Sequence, residues 1–434
     1  MRDIGKKIKK IRNDKKLTLT QVASDKMSAA MLSLIENGKS KPSAKNLQHI
    51  AKQLDVSISD LLDSLTREEL REQLNYIESL DSNGIDRKSL ESQINHIRAL
   101  LPKLGHNFES ACIYEIYAKS LFSYYFRYKS KFDLLEDQDW KKYLQTAEKI
   151  YENLQMENRI IRLRIFLANI ETIHGNYQTA INMVNDTMQR VKERKDKETE
   201  SSLIELMLVK LHILDALGEF EECKRLLKEI INFMNKHLLL NYFYEIHKRG
   251  AVLYYNNGDF KHARKFVTKL EDFCKLVDND YLYLEKEYLV IHFTEFYENN
   301  PNEAINKIQL LETEMRSSSV LTNELKQEVS NYLYDLKARS LTKLNQPNEA
   351  LPLFRDLISI DDYKHIEMHP MDLGIRLISK IYQAQCYKQL GQNDKALKYA
   401  EEVVNILRTQ PHTAYYLYAR NVLQEIQLQL NKRK

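Results

Sequence analysis

The apolar residues near the start of the chain fall into short runs with helical spacing, separated by a few polar residues. Thr18 and Ser28 precede two of these runs and Ser43 precedes another, which are positions that N-capping side chains occupy. We therefore predict five short helices around one small core, with a helix, turn, helix segment between Thr18 and Glu36. The core positions are Ile4, Ile8, Ile11, Leu17, Val22, Leu32, Ile35, Leu47, Ile50, Leu54, Leu61 and Leu62.

Two longer helical segments follow, at about residues 66–80 and 86–101, and the turn sequence DSNGID separates them. Pro102 comes directly after the second segment, where a proline ends a helix. We expect these two helices to form a linker over residues 65–104. The linker would join a first domain, residues 1–64, to a larger third region.

A turn sequence recurs through that third region, residues 105–434, in the copies HGNYQTAI, LGEFEECK, NGDFKHAR, NNPNEAIN, NQPNEALP and LGQNDKAL. Glycine in such a turn supplies the left-handed conformation that ends a helix, and a small residue five positions later lets the next helix pack closely. The small residues, 40 to 46 positions apart, are Ala180, Cys223, Ala263, Ala304, Ala350 and Ala396, and the glycines are Gly175, Gly218, Gly258 and Gly391.

Small residues also recur before the turns, at Ala168, Ala251, Ala338 and Ala384. Helix pairs with this spacing predict a tetratricopeptide-like array, with longer helices than the usual unit of about thirty-four residues. Segments near 109–128 and 137–154 are expected to form a further helix pair that lacks the recurring turn sequence. A helix near 413–430 should cap the array. The predicted fold is all-α: a five-helix helix-turn-helix domain followed by a right-handed α-solenoid.

Composition supports a helical chain and locates its positive charge. Only 10 Gly and 7 Pro occur in 434 residues, as expected for a protein with almost no sheet. Residues 1–64 hold 13 Lys and Arg against 7 Asp and Glu, whereas the rest of the chain holds 52 against 54. The first domain should therefore attract a polyanion, and the repeat region need not contact nucleic acid.

Several other classes of protein are not indicated. No apolar run approaches the length of a membrane span and the first residues lack the apolar segment of a secretory signal, so we expect a cytoplasmic protein without membrane contact. Cys112, Cys223, Cys274 and Cys386 form no CxxC pair, which predicts buried, reduced thiols rather than a zinc site or disulfides.

Catalytic chemistry is not indicated either, because no phosphate-binding loop, dinucleotide fingerprint, HExxH or GxSxG sequence is present. His365 and His369 in HIEMH form the one pair with metal-like spacing. Pro370 follows them directly, and the intervening glutamate falls on another helix face, so we assign them a structural role. We expect a protein that is not an enzyme and needs no cofactor.

The stretch LTLTQVASDKMSAAMLSLIENGKSKPS, followed by LQHIAKQLDVSISDLL, resembles the XRE class of helix-turn-helix domains. The resemblance implies double-stranded DNA as a partner and residues 29–36 as a recognition helix in the major groove. It implies that Ser28, Ala29, Ala30 and Ser33 face base edges, and Met31 can contact thymine methyl groups. Lys39, Lys41 and Gln21 are predicted to contact phosphates.

The domain departs from its class at one position, because Leu19 stands where a polar residue typically follows the threonine that opens the second helix. The predicted recognition helix also holds no Arg, Asn or Gln before Asn37. Strong guanine recognition is therefore not expected, and the shape of the DNA should add specificity.

The first helix of each pair lines the inner wall of such an array, where an extended peptide typically binds. Charged and amide side chains at helical spacing suit a peptide backbone and its termini, although each is also an ordinary surface residue. Counting from each turn predicts a peptide-binding set of Arg162, Asn169, Glu205, His212, Asp215, Lys248, Tyr255, Asp335, Arg339 and Gln385.

An XRE-type domain followed by a long tetratricopeptide array resembles the RNPP group of Gram-positive quorum-sensing regulators, in particular NprR-like, Rgg-like and PlcR-like proteins. The resemblance implies a transcriptional regulator, a homodimer or higher homo-oligomer, that is controlled by a short oligopeptide in the concave groove. Asparagine side chains often hold the peptide in this group, and Asn169 is the position that matches. Two alternatives stay open: the repeats bind a response-regulator-like protein, or they only oligomerise the regulator.

Overall fold

The structure is a computed structural model that describes residues 2–56, 58, 61, 65–81, 87–128, 139–192, 198–277, 279–317, 321–354 and 370–431. All regular structure within these residues is helical, which confirms the predicted all-α fold. The chain divides into two compact units, Met1–Leu163 and Arg164–Lys434. Among the residues described, no helix combines the length and the apolar character that crossing a membrane requires.

The first unit opens with four short helices around a small core. Thr18, Ser28 and Ser43 accept backbone N–H groups in the first turns of three of them, which confirms the predicted caps. Eight of the predicted core residues are buried together, while most of the predicted fifth helix and Leu62 lie outside the described residues. The helices are α1 Arg2–Asp14, α2 Leu19–Ala23, α3 Ala29–Glu36 and α4 Ala44–Gln53.

Four longer helices complete most of this unit and agree with the predicted segments to within three residues at each end. Leu70, Ile77 and Ile94 share one apolar core with Ile113 and Tyr117, so the two predicted linker helices pack against the helix that follows them. The helices are α5 Arg67–Asp81, α6 Arg87–Leu100, α7 Phe108–Tyr128 and α8 Trp140–Asn153.

The rest of the chain forms successive helix pairs. The core of this region is a series of apolar clusters built mainly from neighbouring helix pairs, and the capping helix begins within one residue of its predicted start. The helices are α9 Glu157–Ile173, α10 Tyr177–Lys192, α11 Glu198–Leu217, α12 Phe220–His237, α13 Phe243–Asn256, α14 Phe260–Leu276, α15 Asp280–His292, α16 Pro301–Ser317, α17 Asn323–Lys343, α18 Pro347–Ala350, α19 Pro370–Gln389, α20 Asn393–Leu407 and α21 Ala414–Asn431, with a π-helical turn Phe293–Tyr297 after α15.

The repeat turns take the predicted left-handed conformation. The four turn glycines have φ between 74° and 77°, and in the two turns without glycine Asn299 and Asn345 have φ of 52° and 58°. Asparagine tolerates this conformation better than most side chains, which explains how those two copies keep the turn. All six small residues that follow the turns are completely buried, as the close packing of paired helices requires.

The prediction of four buried thiols holds for Cys112, Cys223 and Cys386 and is wrong for Cys274. Cys274 lies near the C-terminal end of α14 and is only partly buried, because that end of the helix is exposed around it. All four thiols are free.

Candidate nucleic-acid interface and inner repeat face

Helix α3 presents one face to the core of the first unit and the opposite face to solvent. Leu32 and Ile35 are buried, whereas Ala30 is exposed and Met31 and Leu34 are 40% and 44% exposed. Sequence reasoning missed Leu34. Its position three residues after Met31 was the available signal, since residues three apart share a helix face.

The other residues predicted to face base edges differ in how accessible their side chains are to DNA. Ser28 is exposed, but its hydroxyl caps α3 by accepting the N–H of Met31 at 3.1 Å. Ala29 is partly buried against the core. Ser33 is half-buried, and its carbonyl accepts the side-chain amide of Asn37 at 2.8 Å. The polar groups at both ends of α3 are therefore engaged within the domain.

The predicted phosphate contacts have unequal surroundings. Lys39 and Lys41 are exposed in the turn after Gly38, which has a φ of 67°. Gln21 is also exposed, but its carboxamide oxygen accepts the backbone N–H of Thr18 at 2.7 Å in a capping box. The two lysines are thus available to a polyanion, while Gln21 fixes the start of α2.

A charged pair and a glycine hold α1 against α3. Arg12 donates from Nε and Nη2 to the two oxygens of Glu36, at 2.7 and 2.9 Å, and from Nη1 to the carbonyl of Leu17 at 2.9 Å. Glu36 is 3% exposed. A Cβ atom on Gly5 would lie 2.1 Å from the carbonyl oxygen of Ile35, so only glycine fits at this helix crossing.

Most of the predicted peptide-binding residues of the second unit make contacts with a neighbouring helix or turn. These contacts are side-chain hydrogen bonds or ion pairs that link one helix pair to the next. They join Glu205 to Tyr242 at 2.7 Å, Lys248 to Glu285 at 3.2 Å, Tyr255 to Glu298 at 2.8 Å and Gln385 to Tyr418 at 2.7 Å.

Arg339 lies at the centre of a buried polar cluster rather than on an open surface. Its side chain has no exposed area, and Nε donates to Glu295 at 2.9 Å while Nη1 lies 3.5 Å from Asp335. Lys343 and Tyr382 also donate to the carboxylate of Glu295. The predicted residues Asp335 and Arg339 thus contribute to the interior of the array.

Protonation in this cluster follows from burial and charge. Burial opposes ionisation of Glu295, but attraction to Arg339 and Lys343 outweighs it and lowers the pKa of the carboxyl group. Burial, with repulsion from the same two cations, lowers the pKa of His292 well below its ordinary value. The neutral ring accepts from Arg339 at Nδ1, at 2.8 Å, and donates from Nε2 to the hydroxyl of Tyr415 at 2.9 Å.

The chain around the start of α21 returns to helices far earlier in the sequence. The N–H of Ala414 donates to the side chain of Asn256 on α13 at 2.9 Å. The ring of His412 lies so close to Gly218 that a Cβ there would be 2.8 Å from it. The protein's own residues therefore occupy the surface of α11 and α13 near these contacts.

The remaining predicted residues are more accessible. Arg162 is exposed on α9, and Asn169, His212 and Asp215 are half-buried. His365 and His369 lie outside the described residues. The peptide-binding set therefore stays a prediction.

Two parts of the chain match protein-family models. A helix-turn-helix model matches residues 8–61, and a tetratricopeptide-repeat model matches residues 383–406. The chain therefore combines a helix-turn-helix domain with tetratricopeptide repeats, as the sequence predicts. No curated protein matches the chain.

Solved structures of low similarity include three peptide complexes, two of which also contain DNA. One is Bacillus thuringiensis PlcR with the peptide PapR7 and DNA: 18% identity, 67% of this chain and 99% of that chain covered, TM-score 0.36. Another is ComR from Streptococcus vestibularis with its cognate signalling peptide XIP: 18% identity, 66% and 97% covered, TM-score 0.31. The third is ComR from S. thermophilus with DNA and its signalling peptide ComS: 16% identity, 65% and 97% covered, TM-score 0.28.

Proposed function

We propose that this protein is a DNA-binding transcriptional regulator, and that a short peptide bound to its repeat region controls it. The regulator acts as a homodimer on a two-fold operator, with α3 of each copy in the major groove. It carries out no catalysis of its own. Peptide binding changes the relative placement of the two helix-turn-helix domains of the dimer, through a rigid-body shift of residues 66–102.

The exposed face of α3 is the observation that carries the DNA-binding proposal. Met31 and Leu34 face solvent on the recognition helix of a matched helix-turn-helix domain, and Lys39 and Lys41 are exposed in the turn that follows it. Phosphate contacts from such lysines position a domain on DNA, and the exposed face of the helix before them contacts base edges.

The peptide part of the proposal is supported by the repeat region. Helix pairs that pack through completely buried small residues form an array with an inner wall, which is the typical site for an extended peptide. Asn169, His212 and Asp215 are half-buried, and together their side chains offer hydrogen-bond donors and acceptors. They are the members of the predicted set that we assign to the peptide.

A second candidate is a regulator whose repeats bind no peptide and serve only to oligomerise it. The contacts of His412 with Gly218 and of Ala414 with Asn256 favour this candidate, because the protein's own residues cover that part of α11 and α13. The two candidates differ in whether added peptide changes DNA binding.

A genome-wide DNA pull-down with the purified full-length protein tests the proposal, performed with and without short peptides from the producing culture. We expect enrichment of specific sites that changes when the peptides are present. Specific enrichment that peptides leave unchanged would favour the second candidate. An absence of specific enrichment would contradict the DNA-binding proposal.

Removing the charges of the turn lysines should change the salt dependence of DNA binding. We expect Lys39→Gln and Lys41→Gln each to weaken binding to all sequences and to lower the slope of log affinity against log salt by about 0.9. Fluorescence anisotropy over a range of salt concentrations measures this slope. Lys52→Gln is the control, since Lys52 is exposed at the opposite end of α4. An unchanged slope in the turn variants would contradict the phosphate assignment.

A further inference from the structure

The surface that α3 offers to DNA is apolar, which is unusual for a helix expected to contact base edges. Its sequence AAMLSLIE contains no Arg, Lys, Asn or Gln. Met31 and Leu34 are its large exposed side chains, and exposed Ala30 lies four residues before Leu34 on the same face. Residues three apart on a helix are neighbours, so Met31 and Leu34 form one continuous apolar patch.

The polar groups around this patch are engaged within the domain. The Ser28 hydroxyl accepts the N–H of Met31, and the side-chain amide of Asn37 donates to the carbonyl of Ser33. Leu19 on α2 packs against the core, and the side-chain oxygen of Gln21 is held in the capping box. The patch therefore has no fork of donors for guanine and no amide pair for adenine at its centre.

The chemistry of the major groove determines which base this patch suits. Guanine presents two acceptors and cytosine an amino donor, and covering either group with Met31 or Leu34 would remove it from water without a partner. Thymine presents a methyl group beside a single acceptor, and apolar side chains are its usual contact.

We propose that Met31 and Leu34 recognise thymine methyl groups, so that each operator half-site carries thymines under α3. The inference rests on the proposed function and specifies its DNA substrate. Lys39 and Lys41 hold the duplex against this face through its phosphates, and specificity comes from the burial of methyl groups.

Replacing single thymines with uracil tests the inference, because the change removes only the methyl group. Half-sites are first selected from random duplex DNA with the full-length protein. We expect conserved thymines in them, and each uracil substitution at such a position should weaken binding about fourfold, since burying one methyl contributes ~0.8 kcal/mol. Changing the same thymine to 5-methylcytosine should weaken binding less than changing it to cytosine, because the methyl group is kept.

Side-chain variants assign each methyl group to its partner. For the Leu34→Ala variant, replacing one of the conserved thymines with uracil should no longer weaken binding, whereas uracil at another conserved thymine should still weaken it. Met31→Ala should show the reverse. Both side chains are exposed, so thermal unfolding of the two variants should match that of the unmodified protein.

The outcomes separate the inference from the proposed function. Specific binding in which uracil has no effect at any position, or selected half-sites with guanine under α3, would overturn the inference and leave the regulator intact. If no sequence is enriched at all, the DNA-binding proposal fails and the inference fails with it.

Discussion

Replacing Arg339 with Met is expected to lower the free energy of local unfolding of the helices around it by about 3 to 5 kcal/mol. The guanidinium and the carboxylate of Glu295 are both completely buried, and Met would leave that carboxylate with Lys343 as its charged partner. The same change removes the donor to His292.

Hydrogen exchange on the full-length protein measures this effect where it occurs. Backbone amides of α15, α17 and α19 should lose protection by two to four orders of magnitude, because every 1.4 kcal/mol changes an opening equilibrium about tenfold. Local exchange is preferable to a melting temperature, since a chain with two compact units need not unfold in a single step.

Arg264→Met is the matched control for Arg339→Met. Arg264 also pairs with a glutamate, Glu298, at 2.9 Å, but its side chain is 63% exposed. Exposed ion pairs contribute little, so this variant should lose less than about 1 kcal/mol. Similar losses in the two variants would show that burial does not set the strength of the Arg339 contacts.

The repeat architecture could be predicted because local sequence determines it. Gly218 and Gly258 take the left-handed conformation that ends a helix, and Cys223 and Ala263 lie where paired helices pack against each other. Both requirements involve positions a few residues apart, so they appear as a repeating pattern. The N-caps Thr18 and Ser28 are local in the same way.

The partners of the inner side chains could not be predicted from spacing. Counting from each turn placed Arg339 on the inner wall, but its partners Glu295 and His292 are 44 and 47 residues away in sequence. Tyr415 is farther still, 123 residues from His292. Helical periodicity gives the face on which a residue lies, whereas its burial depends on which helices pack over that face.

Leu34 was missed for a related reason. A leucine with helical spacing is normally assigned to the core, and only the packing of α3 shows that Leu32 and Ile35 fill the core while Leu34 remains outside. Gln21 shows a related point, since its polarity predicts a phosphate contact, whereas only the structure shows that its oxygen also caps α2. Side-chain type alone does not separate these roles.

Replacing Arg12 with Met should unfold much of the helix-turn-helix domain and reduce DNA binding in proportion. Met removes both bonds to Glu36 and the bond to Leu17, leaving a carboxylate that is 3% exposed without its partner. We expect a loss of about 3 kcal/mol, which is a large part of the stability of a domain of this size. Operator titration and hydrogen exchange of α1 and α3 measure the two effects.

Two further variants separate a loss of fold from a loss of charge. Lys9→Met removes the same charge from an exposed position on α1 and should leave the exchange of α3 unchanged. Combining Arg12→Met with Glu36→Leu should restore much of the protection, because an apolar pair can replace a buried ion pair with little loss. If Arg12→Met instead weakened DNA binding while α1 and α3 kept their protection, Arg12 would contact DNA and would not be needed to hold the helices together.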